Sequence, residues 1–188
     1  GEKGLFEMLV EHNLELFHKY SINQIVTISP HCYNALKNEY QDSKIEVKHY
    51  TQFLAELVDT GKLAFSNNFE KVVTYHDPCY LGRHNGVYDE PRRILKRIPG
   101  LELVEMLDYR ENSLCCGGGG GRMWVETEKE ERFSDLRVNQ AVEVGAKVLV
   151  TSCPFCMLNL EDSLLTMDKG DELEIKDISE IVQEVTEK

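Results

Sequence analysis

Residues 148–160 read VLVTSCPFCMLNL, and this stretch shows the local plan on which the chain is built. It begins with Val148 to Thr151, a short run of apolar and β-branched residues that predicts a buried strand. Pro154 follows closely, and proline is favoured in the first turn of a helix because the N–H that it lacks has no partner there. The stretch therefore predicts a strand that turns, through Cys153 and Cys156, directly into a helix.

The same plan occurs a second time, earlier in the chain. Residues 25–36 read IVTISPHCYNAL and align with residues 149–160. The alignment continues downstream, where residues 45–58 (IEVKHYTQFLAELV) match residues 173–186 (LEIKDISEIVQEVT) with an offset that is larger by four. A loop insertion explains that change of offset. We interpret the pattern as two related βαβα units rather than as the chance similarity of α/β segments.

Apolar periodicity alternates between strand and helix along the whole chain. Strands are predicted at residues 25–28, 45–47, 72–75, 101–104, 148–151 and 174–176. Helices are predicted at residues 5–19, from Pro30 onward, and at 50–59, 90–97, 128–144, 154–165 and 178–187. Such alternation predicts an α/β fold of two Rossmann-like βαβα lobes with a mostly parallel sheet. The loops at the carboxyl ends of parallel strands share one edge, where ligands bind.

The two units differ in completeness. We expect residues 1–65 to be the C-terminal part of a degenerate first repeat and residues 66–188 to be a complete second repeat. A first repeat on the same plan would carry its paired cysteines just before residue 1, so we expect the chain to be part of a longer protein. Ser29 occupies the position that corresponds to Cys153, which predicts that Cys32 is a buried or vestigial thiol and not a ligand.

Composition and charge exclude several classes of protein and of partner. The 188 residues are 41% hydrophobic and 29% charged, as in a soluble globular domain. The formal net charge of −12 repels phosphate backbones, so nucleic acid is not expected as a partner. No apolar run approaches the ~20 residues that span a bilayer, and the first residues lack the pattern of a secretory signal. We expect a cytoplasmic protein, attached to the inner face of a membrane only through partner subunits.

Five of the six cysteines lie in the spacing C-x35-C-C-x36-C-x2-C. Each follows a predicted strand or lies in a loop, so the shared edge of a parallel sheet can bring them together. Thiolate is the ligand that iron–sulfur clusters and zinc prefer. Five thiolates are one more than tetrahedral zinc or an ordinary cubane uses, so either one cysteine is a bystander or the cluster is unusual. Redox-active thiols and structural disulfides are the alternatives.

Gly117, Gly118, Gly119, Gly120 and Gly121 follow the adjacent cysteines directly. Without Cβ atoms this loop can approach a cluster closely and direct backbone N–H groups toward sulfur. We therefore expect the five glycines to bind the cofactor, with a flexible linker as the alternative.

The order HDPC…CCGGGGG…CPFC resembles the CCG-type cysteine-rich domain. That domain occurs in the catalytic subunits of heterodisulfide reductases. It also occurs in the iron–sulfur subunits of glycolate and lactate oxidation systems and of anaerobic glycerol-3-phosphate dehydrogenase. The resemblance is strong over about residues 70–165, and residues 20–60 are similar to the tail of the family's first copy.

The resemblance implies an iron–sulfur oxidoreductase that holds one [4Fe–4S] cluster, which in heterodisulfide reductases is of a non-cubane type. Its function would be disulfide reduction or electron transfer within a multi-subunit redox complex. Expected partners are flavoprotein, ferredoxin-like or quinone-linked subunits, together with a disulfide or another small-molecule substrate. Because Ser29 replaces a ligand in the first copy, a mechanism that needs two clusters is in doubt. Carried over residue by residue, the cluster ligands are Cys79, Cys115, Cys116, Cys153 and Cys156.

Two further residues are catalytic candidates. His76 precedes the first cysteine and can supply a proton or hydrogen bond to the cluster or substrate, although a structural histidine explains it equally well. Arg83 can balance cluster charge or hold an anionic substrate, with a solvated surface arginine as the alternative. A structural zinc module that uses four cysteines, and a pure electron-transfer domain, remain open as alternative functions.

Overall fold

The computed structural model describes residues 2–40, 44–125, 127 and 131–186. Helices and strands alternate along the chain, as the apolar pattern predicts. In order they are α1 (Lys3–Lys19), β1 (Gln24–Thr27), α2 (Pro30–Asn38), β2 (Glu46–His49), α3 (Tyr50–Asp59), β3 (Val72–Tyr75), α4 (Asp89–Arg97), β4 (Glu102–Val104), α5 (Phe133–Glu143), β5 (Val148–Thr151), α6 (Pro154–Thr166), β6 (Glu174–Asp177) and α7 (Ile178–Val185). No helix in the described part of the chain is both long enough and apolar enough to cross a bilayer.

All strand pairs among the described residues are parallel, which confirms the predicted α/β fold. β1 pairs with β2, and a second sheet has the order β4-β3-β5-β6. β5 is buried along its whole length, as expected for a central parallel strand that is covered on both faces. Tyr75 pairs with Val150, so the loops that follow β3 and β5 leave the sheet side by side. This adjacency brings together residues that are separated by more than seventy positions in sequence.

One predicted helix is shorter than expected. The sequence pattern predicts a helix over residues 128–144, but α5 begins at Phe133. Residues 128–130 lie outside the described residues, and Arg132 has an extended backbone instead of helical geometry. The guanidinium of Arg132 forms an ion pair with Asp162 of α6 at 2.5 Å, so this residue binds the neighbouring helix just before α5 begins.

The aligned segments of the two units repeat the same local interactions. In each unit a strand lysine forms ion pairs with two glutamates, over 3.0 and 2.7 Å in the first unit and 3.1 and 2.6 Å in the second. The residues are Lys48, Glu46 and Glu56 in the first unit, and Lys176, Glu174 and Glu184 in the second. The helix that follows begins in each case with a capping box, at His49 and at Asp177.

The first unit packs directly on the second. The Tyr50 hydroxyl donates a hydrogen bond of 2.7 Å to Asp177 Oδ1. Tyr50 and Ala55 are buried in the same core cluster as Ile178 and Ile181 of α7. The start of α3 is thereby fixed against the carboxyl edge of the larger sheet, where the cysteines lie.

Candidate metal centre

The cysteine sulfurs of three loops lie next to one another. Cys79 follows β3, and its Sγ lies 4.0 Å from that of Cys115. Cys116 and Cys156 approach each other closely, and their sulfurs lie within 4.8 Å of each other and of a His76 ring nitrogen. Cys153 is in contact with Cys156 in turn, so five sulfurs form one continuous group in the order 79, 115, 116, 156, 153. All six cysteines are free thiols. Cys32 is exposed, so the expectation of a buried thiol at this position is wrong, and its vestigial character stays a prediction.

A buried ion pair holds the loop that carries Cys79. Arg92 donates two parallel hydrogen bonds to Asp77, at 2.7 and 2.8 Å, and two more to Glu105. Asp77 also accepts a hydrogen bond of 2.8 Å from the backbone N–H of Arg110. Bidentate pairs of this kind fix direction as well as distance. Asp77 therefore links the first cysteine loop to the turn that leads into Cys115.

Arg83 lies beside the cysteine loop but binds its backbone. The guanidinium donates a hydrogen bond of 2.6 Å to the carbonyl of Ser113, two residues before Cys115. The side chain is otherwise exposed. This contact positions the loop, and a catalytic role for Arg83 remains a prediction.

The glycine loop divides into two parts. The backbone N–H of Gly117 donates to Cys115 Sγ at 3.3 Å, and that of Gly118 donates to Cys116. Gly117 has a φ of +82°, and a Cβ there would lie 3.4 Å from Phe133 Cβ. By contrast, Cβ atoms on residues 119–121 would have no neighbour within 4 Å. Binding of the cofactor by all five glycines remains a prediction, and among these glycines the described hydrogen bonds to sulfur come from Gly117 and Gly118.

The thiol pKa values show how the sulfurs share protons. Hydrogen bonding from Cys116 lowers the pKa of Cys115 to about 2, and hydrogen bonding from Cys156 lowers that of Cys153 to about 5. The pKa values of Cys79, Cys116 and Cys156 are raised, first because each is a hydrogen-bond partner of a neighbouring sulfur. Five thiolates at such distances repel one another unless a cation lies among them. The donor set therefore fits an iron–sulfur cluster.

His76 presents one ring nitrogen to this group. The side chain is fully buried, and burial followed by the charge of Arg137 lowers its pKa to about 3. Its Nδ1 accepts a hydrogen bond of 3.2 Å from Arg137 Nε, which leaves the proton on Nε2. Nε2 is buried and has no hydrogen-bond partner among the described residues, and a ring nitrogen of His76 lies within 4.8 Å of the sulfurs of Cys116 and Cys156. His76 is therefore arranged as a hydrogen-bond donor toward the centre.

Arg137 is a functional residue that the sequence analysis missed. It is fully buried and also donates to the carbonyl of Asp108 at 2.8 Å. Burial lowers its pKa to about 10. The signal that reveals it is periodicity, because it lies on the buried stripe of α5 with Ser134, Val138 and Ala141. An arginine on an apolar stripe needs buried partners.

A cavity of about 730 Å³ opens beside the cysteines. Cys116 and Gly117 form one wall, and Arg122, Trp124 and Phe133 line other parts. Trp124 is 82% exposed, so an apolar surface remains uncovered at this cavity. A molecule in the cavity would lie against the cysteine loop.

Comparison with known proteins agrees with this geometry. The model of the CCG cysteine-rich domain family matches residues 1–37 and 73–161. The chain is 45% identical over 184 residues, 97% of its length, to the probable iron–sulfur-binding oxidoreductase FadF of Bacillus subtilis. It is 40% identical over its full length to the EtfAB:quinone oxidoreductase of Syntrophomonas wolfei. It is 37% identical, over 94% of its length, to one subunit of the dihydromethanophenazine:CoB–CoM heterodisulfide reductase of Methanosarcina barkeri.

The chain spans only part of each of these relatives, namely 26%, 27% and 44% of their lengths. The family match nevertheless includes all three cysteine loops and the first aligned stretch of each unit, residues 25–36 and 149–160. Taken with the group of five neighbouring sulfurs, it shows that the chain belongs to the CCG cysteine-rich domain family.

Proposed function

We propose that this chain is the iron–sulfur domain of a larger oxidoreductase and that it holds one [4Fe–4S] cluster on its five neighbouring cysteines. The observation that carries the proposal is the convergence of five sulfurs from three loops at one sheet edge. Because a cubane or a tetrahedral zinc site uses four ligands, the fifth favours a non-cubane cluster. The ligands are Cys79, Cys115, Cys116, Cys153 and Cys156.

When bound, the cluster supplies one-electron transfer. The protein's own part is to stabilise negative charge on the sulfurs. The N–H groups of Gly117 and Gly118 donate to two of them, and a ring nitrogen of His76 lies within 4.8 Å of the sulfurs of Cys116 and Cys156. Because its ring is neutral, His76 would also act on a substrate as a hydrogen-bond donor to a developing sulfur anion, while Arg137 holds its ring in place.

The cavity beside Cys116 favours access of a small molecule, and so favours substrate chemistry over electron transfer alone. We propose a disulfide as that substrate, since one relative is named as a heterodisulfide reductase subunit. The names of other relatives suggest electron exchange with a flavoprotein, a ferredoxin-like domain or a quinone-linked subunit. Those partners would keep this chain on the cytoplasmic side, at the inner face of a membrane.

We also propose that residues 1–65 are the remaining part of a degenerate repeat and that residues 66–188 form a complete one. The repeated lysine–glutamate ion pairs and capping boxes support a common origin of the two units. Ser29 at the position of Cys153 supports the loss of a cluster from the first unit.

Anaerobic reconstitution tests the cluster proposal. We expect about four irons per chain with matching sulfide, and an EPR signal in one oxidation state. Stoichiometric zinc without iron under the same conditions would overturn the proposal in favour of a structural zinc module. Addition of a small disulfide such as cystamine to the reduced protein separates the two redox functions, because only substrate chemistry predicts rapid oxidation of the cluster and release of thiol.

A further inference from the structure

His31, in the first turn of α2, lies between two of the cysteine loops of the other unit. Its ring centroid is 4.4 Å from that of Tyr80 and 5.2 Å from that of Phe155. Tyr80 directly follows Cys79, and Phe155 lies between Cys153 and Cys156. A residue of the degenerate unit is therefore packed against two loops that carry the sulfurs.

The imidazole of His31 also lies close to a cysteine sulfur. As a hydrogen-bonding neighbour it helps to lower the pKa of the Cys153 thiol, which is almost fully buried. Nδ1 of His31 is buried and has no hydrogen-bond partner in the described part of the chain. A buried ring nitrogen without a partner is uncommon, because desolvation without a hydrogen bond is unfavourable. The ring is thus held by aromatic contacts in a position that faces the cysteine site.

We infer that His31 is a positioning residue of the iron–sulfur site, and that it donates a hydrogen bond from the degenerate unit to the Cys153 sulfur of the complete unit. This inference rests on the proposed function, since it assigns a role toward the cluster. An N–H donor near a ligand sulfur stabilises the extra negative charge that the reduced cluster carries. His31 therefore favours the reduced state and raises the reduction potential.

The chain offers a matched control at His84. That imidazole also stacks on Tyr80, with ring centroids 4.5 Å apart, but the side chain is exposed and none of its described side-chain contacts is with a cysteine. The backbone N–H of His84 donates to the carbonyl of Cys79, and a substitution at position 84 keeps that hydrogen bond. Replacing His84 removes an imidazole from the same aromatic group without removing the donor to Cys153. The two positions separate a general effect of ring packing from a specific effect of the hydrogen bond.

The experiment compares His31→Phe, His31→Gln and His84→Phe in the full chain after anaerobic reconstitution. Phenylalanine keeps the aromatic contacts and removes the N–H, whereas glutamine restores an N–H donor. The midpoint potential is measured by redox titration followed by EPR, with iron and sulfide content measured on each sample. We expect His31→Phe to shift the redox equilibrium about tenfold toward the oxidised form, which is about 59 mV lower for a one-electron couple. We expect His31→Gln to recover much of that shift and His84→Phe to leave the potential unchanged.

The remaining outcomes either support the inference or overturn it. Loss of iron in His31→Phe alone, with full iron in the glutamine variant, supports the same donor role. Equal potentials in wild type and His31→Phe at full iron content would overturn the inference and leave the proposed function intact. An equal shift in His84→Phe would assign the effect to ring packing and would also overturn it. Failure of the wild type to take up iron would overturn the proposed function, and this inference with it.

Discussion

Residues 29–32 and residues 153–156 begin equivalent helices in the two units, and they use the same position for different chemistry. Both stretches follow a parallel strand and place a proline in the first helical turn. Ser29 caps α2 by accepting a hydrogen bond from the N–H of Cys32. Cys153 occupies the equivalent cap of α6, is only 1% exposed and contacts the sulfur of Cys156. The same backbone position therefore holds a capping hydroxyl in the first unit and a buried thiol of the cysteine group in the second.

The largest expected effect comes from replacing Cys153 by serine, the residue that the first unit has at the equivalent position. We expect Cys153→Ser to lose or alter the cluster, because the serine hydroxyl is a poor substitute for a soft thiolate ligand. We expect Cys32→Ser, in the degenerate unit, to keep full iron. Iron and sulfide analysis with EPR on both reconstituted variants measures the difference. Equal iron loss in the two variants would show that Cys32 is a ligand after all.

A second test uses the next pair of equivalent residues, the helix caps His49 and Asp177. His49 is fully buried, and burial lowers its pKa to about 4. Between about pH 6.5 and pH 4 the unfolded chain therefore binds a proton at this residue that the folded chain does not. Neutral His49 therefore adds to the free energy of unfolding above about pH 6.5. That contribution, roughly 3 kcal/mol in total, is lost as the pH falls to about 4.

We expect His49→Asn to flatten this part of the pH profile, since asparagine caps helices without titrating. Urea unfolding of the apoprotein at several pH values measures it, and the same substitution at exposed His12 is the control. Parallel profiles for wild type and His49→Asn would contradict the assignment of this pH dependence to His49.

The smallest expected effect comes from the reverse conversion, Ser29→Cys. Iron content should stay at about four per chain, because two thiols do not hold a second cluster. The loss of a good capping hydroxyl should lower the free energy of unfolding by about 1 kcal/mol. Iron analysis and urea unfolding test the two parts. A clear rise in iron would mean that the first unit still contains a competent site.

Local sequence predicted most of the fold and the cysteines that the structure brings together. The strand-to-helix pattern predicted β3, β5 and α6 closely, since it depends on apolar runs and proline within a few residues. The five cysteines could be grouped because parallel strands share one carboxyl edge. The sequence pattern did not predict Arg137 and His31, because their contacts arise from packing between distant elements. Nothing near His31 in sequence indicates that it meets Cys153, more than a hundred residues away.

The spacing of the cysteines has a further consequence for the unfolded chain. A bound cluster ties three points of one polypeptide together and closes two successive loops, of 35 and 36 intervening residues. By analogy with a disulfide, each closure lowers the chain entropy of the denatured ensemble. This raises the free energy of unfolding by about 4 kcal/mol per loop. Both loops lie between positions 79 and 156, whereas residues 2–40 lie outside them. A cluster held by these cysteines would therefore cross-link the second unit alone, and the first unit is joined to it by packing such as that of Tyr50 and Ala55.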